Sequence, residues 1–394
     1  MISKRAKEIQ PSLTLSLSAK IKALQREGVD IVSLGAGEPD FPTPKIVQEK
    51  AIEAIQKGFT KYTPAAGIPE LRERVAQWFT ETLGVDYEPS EVVISCGAKH
   101  TLYNVMLTLL NDGDEVIIPL PYWLSYPEQI KLAGGKAVIL PTSEETHFKI
   151  TPLALERAIQ PKTKALILNT PSNPTGMIYT EEELEPILEI IEKHNMFLIS
   201  DEIYSQMVYD QKRHISPISL CPDLKDRILV VNGVSKAYSM TGWRIGFLAS
   251  PKEIAQGVAN IQSHTTSNPC SIAQYAALAA LQLTKDEVRI MVNEFEKRRN
   301  LVYDSLKTIE GMDVFKPEGA FYIFPSVKNW VGEEKRFSST VQLAEALLEK
   351  KGVGVIPGEV FGASGYIRIS FAASEKDLER GMERIKEFLE QESL

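Results

Sequence analysis

Three stretches in the middle of the chain carry residue types that could act on one small molecule. Residues 169–176 read NTPSNPTG and contain Asn173; residues 200–204 read SDEIY and contain Asp201 and Tyr204. Residues 235–246 read SKAYSMTGWRIG, opening on Ser235 and Lys236 and closing near Arg244. A lysine amine condenses with an aldehyde, a buried carboxylate partners a protonated ring nitrogen, and neutral amide and phenol groups donate to a phenolate oxygen. Arginine, serine and backbone N–H groups bind phosphate. Together these are the requirements of pyridoxal 5′-phosphate, whose expected partners include a Schiff-base lysine and an aspartate at the ring nitrogen.

Signals for other chemistries fail on context or are absent. Gly35-Ala36-Gly37 follows a short apolar run, but Glu38-Pro39-Asp40 stands where a dinucleotide fingerprint needs a helix and a third glycine. Those glycines suit a close approach of backbone to a ligand instead. The sequence has no GxxxxGK[ST] loop, no HExxH and no GxSxG. His100, His147, His194, His214 and His264 show no metal-ligand spacing and read as surface or supporting residues, so no metal is expected. Cys96, Cys221 and Cys270 form neither a disulfide framework nor a zinc site, which fits a reducing, cytoplasmic setting.

For the three stretches to meet, the elements around them must bring them to one edge of a sheet. Short apolar runs at 92–95, 115–118, 136–140, 165–168, 197–200 and 228–231 read as strands, with helical periodicity at 97–110, 126–133, 153–159 and 181–194. That alternation predicts an α/β fold with a mainly parallel sheet covered on both faces. Ligands bind beyond the carboxyl ends of such strands, where Asn173, Asp201 and Lys236 fall. Helices are also expected at 17–27, 46–57 and 68–83, and residues 251–281 look helical. A long charged helix at 286–309 leads to strands at 320–324, 354–356 and 366–371 with helices at 341–350 and 375–389, a second, smaller α/β domain.

The expected division is therefore an N-terminal segment over 1–45 associated with the small domain, a large cofactor-binding domain over 46–285, a bridging helix over 286–310 and the small domain over 311–394. The composition, 43% hydrophobic and 24% charged, is that of a globular chain. With 44 basic and 52 acidic residues the net charge is −8, which argues against a nucleic-acid or membrane-surface partner. No apolar run is long enough to span a bilayer. The opening MISKRAKEIQ lacks the apolar core of a secretory signal.

The strings NTPSNPTG, SDEIY and SKAYSMTGWRIG, in that order and spacing, resemble the fold-type I pyridoxal-phosphate enzymes, and within them the class I/II aminotransferases of the aspartate aminotransferase family. The resemblance runs from Ser12 to the C-terminal helix. It implies a seven-stranded, mainly parallel sheet in the large domain. It makes Lys236 the amine that holds the cofactor and moves the substrate Cα proton, Asp201 the partner of the ring nitrogen, and Asn173 and Tyr204 donors to the ring oxygen. Trp123 in Pro121-Tyr122-Trp123 resembles the aromatic stacked on the ring. Gly97, Ala98 and Lys99 open a helix that cradles phosphate, completed by Ser235 and Arg244. Tyr62 resembles the tyrosine that reaches the phosphate of a second subunit, implying a homodimer with shared active sites. Arg368, in YIRIS at 366–370, resembles the arginine that grips the substrate α-carboxylate, helped by Asn173 and the backbone at Gly37.

The side-chain pocket departs from the animal and enterobacterial pattern, since residues 261–268 (IQSHTTSN) hold no arginine to meet a distal carboxylate. A bacterial branch of the family uses a lysine after the phosphate turn with hydroxyls from the N-terminal segment. Lys99, Ser12 and Thr14 resemble that set. An ammonium in a closed pocket attracts a distal carboxylate and disfavours an apolar side chain. The implied reaction is transfer of the amino group of L-aspartate to 2-oxoglutarate by a ping-pong mechanism. Broad, aromatic or prephenate transamination remains the alternative, as does a β-lyase, a racemase or an aminocyclopropane-carboxylate synthase on the same scaffold. A transcription regulator built on this fold would need an added helix-turn-helix segment, for which the two expected domains leave no room.

Overall fold

Helices Lys4–Glu8 and Leu13–Arg26 and a two-residue strand, β1 (Val32–Ser33), lead into the body of the protein, a computed structural model describing residues 2–9, 11 and 13–392. Seven strands alternate with helices: β2 (Val92–Ser95), β3 (Glu115–Pro119), β4 (Lys136–Leu140), β5 (Thr163–Asn169), β6 (Phe197–Asp201), β7 (Ile228–Gly233) and β8 (Gly246–Ala249). They form one sheet in the order β2-β8-β7-β6-β5-β3-β4. All neighbours are parallel except β8, which runs antiparallel to both β2 and β7. Every residue of β2, β7 and β8 is buried.

Side chains alternate across the pleat, so each strand serves two cores. Ala165, Ile167, Ile199, Leu229 and Val231 pack with the helix Ala98–Leu109 on one face. Leu166, Leu168, Leu198, Ile228 and Val230 join the larger core on the other. A strand buried on both sides has no freedom to slip, because a one-residue shift would change the face of every side chain. The strand ends are therefore rigid mounting points.

Beyond the 23-residue helix Lys285–Lys307 lie β9 (Tyr322–Ile323), β10 (Val353–Gly354), β11 (Ile356–Pro357) and β12 (Ile367–Ser370), with helices Thr340–Lys351 and Glu375–Gln391. Strands β11, β12 and β9 form an antiparallel sheet in that order, and β1 pairs in parallel with β10. Ser370 N donates to Leu34 O at 2.7 Å, so the segment leading to Gly37 is stitched to the small sheet.

The six expected strands of the large sheet form within a few residues of their expected bounds. Four elements differ, the first being the strand expected at 354–356, which is split into β10 and β11 in two different sheets. Strand β8 escapes the pattern because GFLA opens on glycine directly after the arginine loop, with no turn to announce it. The stretch 251–281 is two helices, Lys252–Thr265 and Ser271–Ala280, parted by Ser267-Asn268-Pro269. The first long helix begins at Leu13, four residues earlier than expected, because Leu13-Thr14-Leu15-Ser16 alternates apolar and polar residues with a strand's period of two.

Candidate active site

Register brings the expected residues together. Asn169 and Asp201 are cross-strand partners at the carboxyl ends of β5 and β6, and Asp201 pairs on its other side with Val231 of β7. Lys236 follows three residues after β7 ends. Asn169 Nδ2 donates to Asp201 O at 3.0 Å, and its Oδ1 accepts from Asn173 N at 2.8 Å, which fixes the loop holding Asn173.

Asp201 is 4% exposed. Tyr126 OH donates to its Oδ2 at 2.6 Å and Ile203 N to its Oδ1 at 3.3 Å. Burial pushes its carboxyl up to about 6 even though these donors favour the charged form. Both direct donors are neutral, so this buried carboxylate has no cation bonded to it, a setting suited to a protonated ring nitrogen. Trp123 packs edge-on against Tyr126, with centroids 5.3 Å apart.

Lys236 is half-buried, its Nζ donating to Gly37 O at 2.6 Å. Desolvation first, and then the charge of Arg368, pull the amine down to about 8, so a useful fraction is neutral and nucleophilic near pH 8. Tyr204 is buried, and its hydroxyl lies 2.9 Å from that of Tyr322.

The phosphate end is a cradle that two glycines keep open. Gly97, at φ +87, caps the helix Ala98–Leu109, whose first N–H groups, those of Ala98 and Lys99, have no helical acceptor. A Cβ at Gly97 would strike the Arg244 guanidinium, and one at Gly246 would strike Ala98 N. Arg244 itself takes a left-handed backbone and donates from Nη1 to Thr241 O at 2.9 Å and from Nη2 to Cys96 O at 3.4 Å. Ser235 is buried close by in sequence. The carboxylate at one end and the donors and guanidinium at the other fit the ring nitrogen and phosphate of pyridoxal 5′-phosphate.

Arg368, 4% exposed on β12, donates from Nη1 to Asn173 Oδ1 at 3.0 Å and from Nη2 to Gly35 O at 2.9 Å. Its Nε is buried without a partner, a donor aimed at something the protein does not supply. The Gly35 carbonyl thus holds the arginine, and the Gly37 carbonyl holds Lys236.

At the outer edge, Lys99 lines an open cleft of ≈ 380 Å³ shared with His100, Glu128, Gln129 and Arg244. Its Nζ lies 4.8 Å from the Trp123 ring centroid. Desolvation there, followed by the Arg244 charge, holds its amine below the usual lysine range. Thr14 is half-buried in the first turn of the helix Leu13–Arg26, and Ser12 lies outside the described residues. Tyr62 is 91% exposed, so it does not serve as a packing residue of its own chain.

Three residues at the site carry no motif that singles them out. Tyr126 sits three positions after Trp123, one helical turn on. Asn169 opens the NTPSNPTG string, and Tyr322 follows Phe321 in an apolar strand where its hydroxyl is easily passed over. His214 supports Glu202 from a largely buried side chain, its Nε2 2.9 Å from Glu202 Oε2, while Ser200 and Glu202 point to the face of the sheet opposite Asp201. No group of three or more His, Cys, Asp or Glu that could hold a metal occurs among the described residues, and none of their helices is long and apolar enough to cross a membrane.

Comparison with known proteins agrees with this geometry. A family model described as aminotransferase class I and II matches residues 29–385. The chain is 48% identical over 389 residues to the aspartate aminotransferase of Geobacillus stearothermophilus, covering 99% of each. It is 45% identical to a probable aspartate/prephenate aminotransferase of Aquifex aeolicus, covering 99% of both. The solved structure of the Thermus thermophilus aspartate aminotransferase with maleate superposes with a TM-score of 0.93 at 41% identity, over 98% of this chain and 99% of that one.

Proposed function

The chain belongs to the class I and II aminotransferase family, and from that premise we propose that it transfers the amino group of L-aspartate to 2-oxoglutarate, giving oxaloacetate and L-glutamate. The observation that carries the reading is the convergence of Lys236, Asp201, Tyr204 and the Asn173–Arg368 pair on one crevice at the sheet's carboxyl edge. Pyridoxal phosphate, when bound, supplies the aldehyde that takes up the amino group and the protonated ring that draws electrons from the substrate Cα.

The chain's own groups do the rest. Asp201 would keep the ring nitrogen protonated, because its carboxylate would gain the cation its burial lacks. Tyr204 OH and Asn173 Nδ2 would donate to the ring oxygen, and Trp123 would pack on the ring. Arg244, Ser235 and the amides of Ala98 and Lys99 would hold the phosphate. Arg368 leaves its backbone acceptor to grip the substrate α-carboxylate, satisfying its orphaned Nε. Lys236 Nζ would take the proton from the substrate Cα and deliver it to the cofactor carbon that takes up the amino group, the net shift that transamination requires. Closing of the small sheet and the residue 35–43 segment excludes water.

Lys99 gives the preference for an acidic side chain, with Thr14 and Ser12 as hydroxyl partners from the N-terminal segment. Relatives named for aspartate support this choice. The Aquifex aeolicus relative's name adds prephenate, whose second carboxylate the same ammonium would receive, so prephenate is the second reading. Two copies of the chain form the working unit, with Tyr62 of one reaching the phosphate of the other. The exposure of Tyr62 together with Ile46, Ile52, Ile55 and Phe59 supports such a contact. Three unpaired thiols suit a reducing, cytoplasmic setting. The test is a coupled assay of the loaded enzyme with L-aspartate and 2-oxoglutarate. Oxaloacetate and glutamate should appear in equal amounts; release of ammonia instead would make the chain a lyase.

A further inference from the structure

Tyr322 stands between the two halves of the site, yet neither the motifs nor the reaction requires it. It is 1% exposed on β9, in the small sheet beside β12, where Ser370 is its cross-strand partner. Its ring lies under the Arg368 guanidinium, 4.2 Å from centroid to Cζ. Its hydroxyl is 2.9 Å from that of Tyr204 in the large domain. A Cβ on Gly37, whose carbonyl holds Lys236, would come within 3.2 Å of the same oxygen. One side chain thus touches the substrate clamp, the donor to the ring oxygen and the backbone that anchors the lysine.

We propose that Tyr322 is a positioning residue that couples Arg368 to Tyr204, holding the guanidinium flat over its ring while its hydroxyl donates to the Tyr204 oxygen. The inference rests on the aminotransferase reading above. Counting protons fixes its direction. Each phenol has one, and either oxygen can donate when the two are alone. Once Tyr204 gives its proton to a ring oxygen, only the Tyr322 proton is left for the bond between them. A hydroxyl that accepts such a bond becomes a stronger donor through its own proton. Tyr322 therefore strengthens the hydrogen bond that stabilises the anionic ring oxygen. The Arg368 charge above the ring acts in the same sense, opposing the burial that would otherwise hold the Tyr322 proton more tightly.

The two roles separate experimentally, because Tyr322→Phe removes the hydroxyl and keeps the ring. In the substrate-free loaded enzyme, the pH midpoint of the visible absorbance change should rise in Tyr322→Phe by about 0.5 to 1 unit, a change in proton affinity of about 3- to 10-fold. In a Tyr204→Phe background the same substitution should give no further shift, since the bond it removes is already gone. Binding of succinate, read from the same band, should change less than about threefold in Tyr322→Phe. In Tyr322→Leu, which loses the ring, it should weaken about 5- to 30-fold. A wild-type protein with no cofactor band would overturn the aminotransferase reading and this inference with it. A normal wild-type band with a midpoint that falls or stays fixed in Tyr322→Phe, or moves equally in both backgrounds, would overturn the role of Tyr322 alone. So would undiminished succinate binding in a folded Tyr322→Leu.

Discussion

Asp201, Asn169 and Tyr126 meet at the end of a sheet buried on both faces, whereas Lys99, Thr14 and Tyr62 stand on helix starts and an exposed loop. In the first region every polar group named has a hydrogen-bond partner within the chain, and the geometry follows from strand register. In the second, Tyr62 faces solvent and Lys99 faces an open cleft. The chemistry is thus held by the part of the molecule that cannot move. In the proposed function, selection of the substrate falls to this second region, Lys99 and Thr14 closing on the side chain and Tyr62 meeting a second copy of the chain.

Substitutions on either side should break this contrast to different degrees. The largest effect belongs to Lys236→Ala, which removes both the anchor and the proton carrier; turnover should fall by about 10⁴-fold or more in a steady-state assay, with cofactor still bound without a covalent link. Next is Arg368→Leu, which leaves the substrate carboxylate unpaired. Here kcat/KM for aspartate should drop by roughly 10²- to 10³-fold, and an equal loss for phenylalanine would show that the arginine reads the shared α-carboxylate. At the edge, Lys99→Met should act selectively. Its kcat/KM for aspartate should fall about 10- to 30-fold while that for phenylalanine stays level or rises. Equal losses for both would place Lys99 with the phosphate and not with the side chain.

Two pH experiments sharpen the comparison further. The neutral Lys236 amine is the form that captures the aldehyde, so uptake of pyridoxal phosphate by the cofactor-free protein should speed up about tenfold per pH unit below 8 and level off above it. Arg368→Leu should move that break upward, because the lost positive charge had helped to lower it. The smallest effect concerns stability. The Asp201 carboxyl titrates near 6 when folded and close to 4 when unfolded, so the folded state binds the extra proton between those values. Its destabilising contribution is absent below about pH 4 and complete above about pH 6. Cofactor-free Asp201→Asn should therefore melt a few degrees above the wild type at pH 8, with the gain gone near pH 4, as followed by thermal unfolding.

The same contrast explains what could be read from the sequence. That Lys236, Asp201, Asn173 and Arg244 would meet was legible because strand ends and the loops after them keep residue type and position in short strings, whereas Arg368 lies within β12. Six large-sheet strands were legible because their short, largely apolar runs alternate with helical segments, the rhythm of a mainly parallel sheet. Tyr126 and Tyr322 were not, since a tyrosine in an apolar helix or strand looks like core until its hydroxyl finds a partner. Strand β8 was hidden for a related reason, being antiparallel and entered without a helix. The pairing of Glu202 with His214 depends on which face of β6 each residue takes, which becomes visible only once Asp201 is assigned to the site. Which atoms read the substrate side chain is not encoded in local pattern, since Lys99 lines an open cleft and Tyr62 faces solvent.

The most direct test of the central claim is to add L-aspartate alone, with no oxo acid, to the purified enzyme loaded with pyridoxal phosphate, and follow its visible band. The band should be lost, with one oxaloacetate released per active site, no ammonia, and half-saturation at a lower concentration for aspartate than for L-phenylalanine. A band unchanged by either amino acid, or lost with release of ammonia, would contradict that claim.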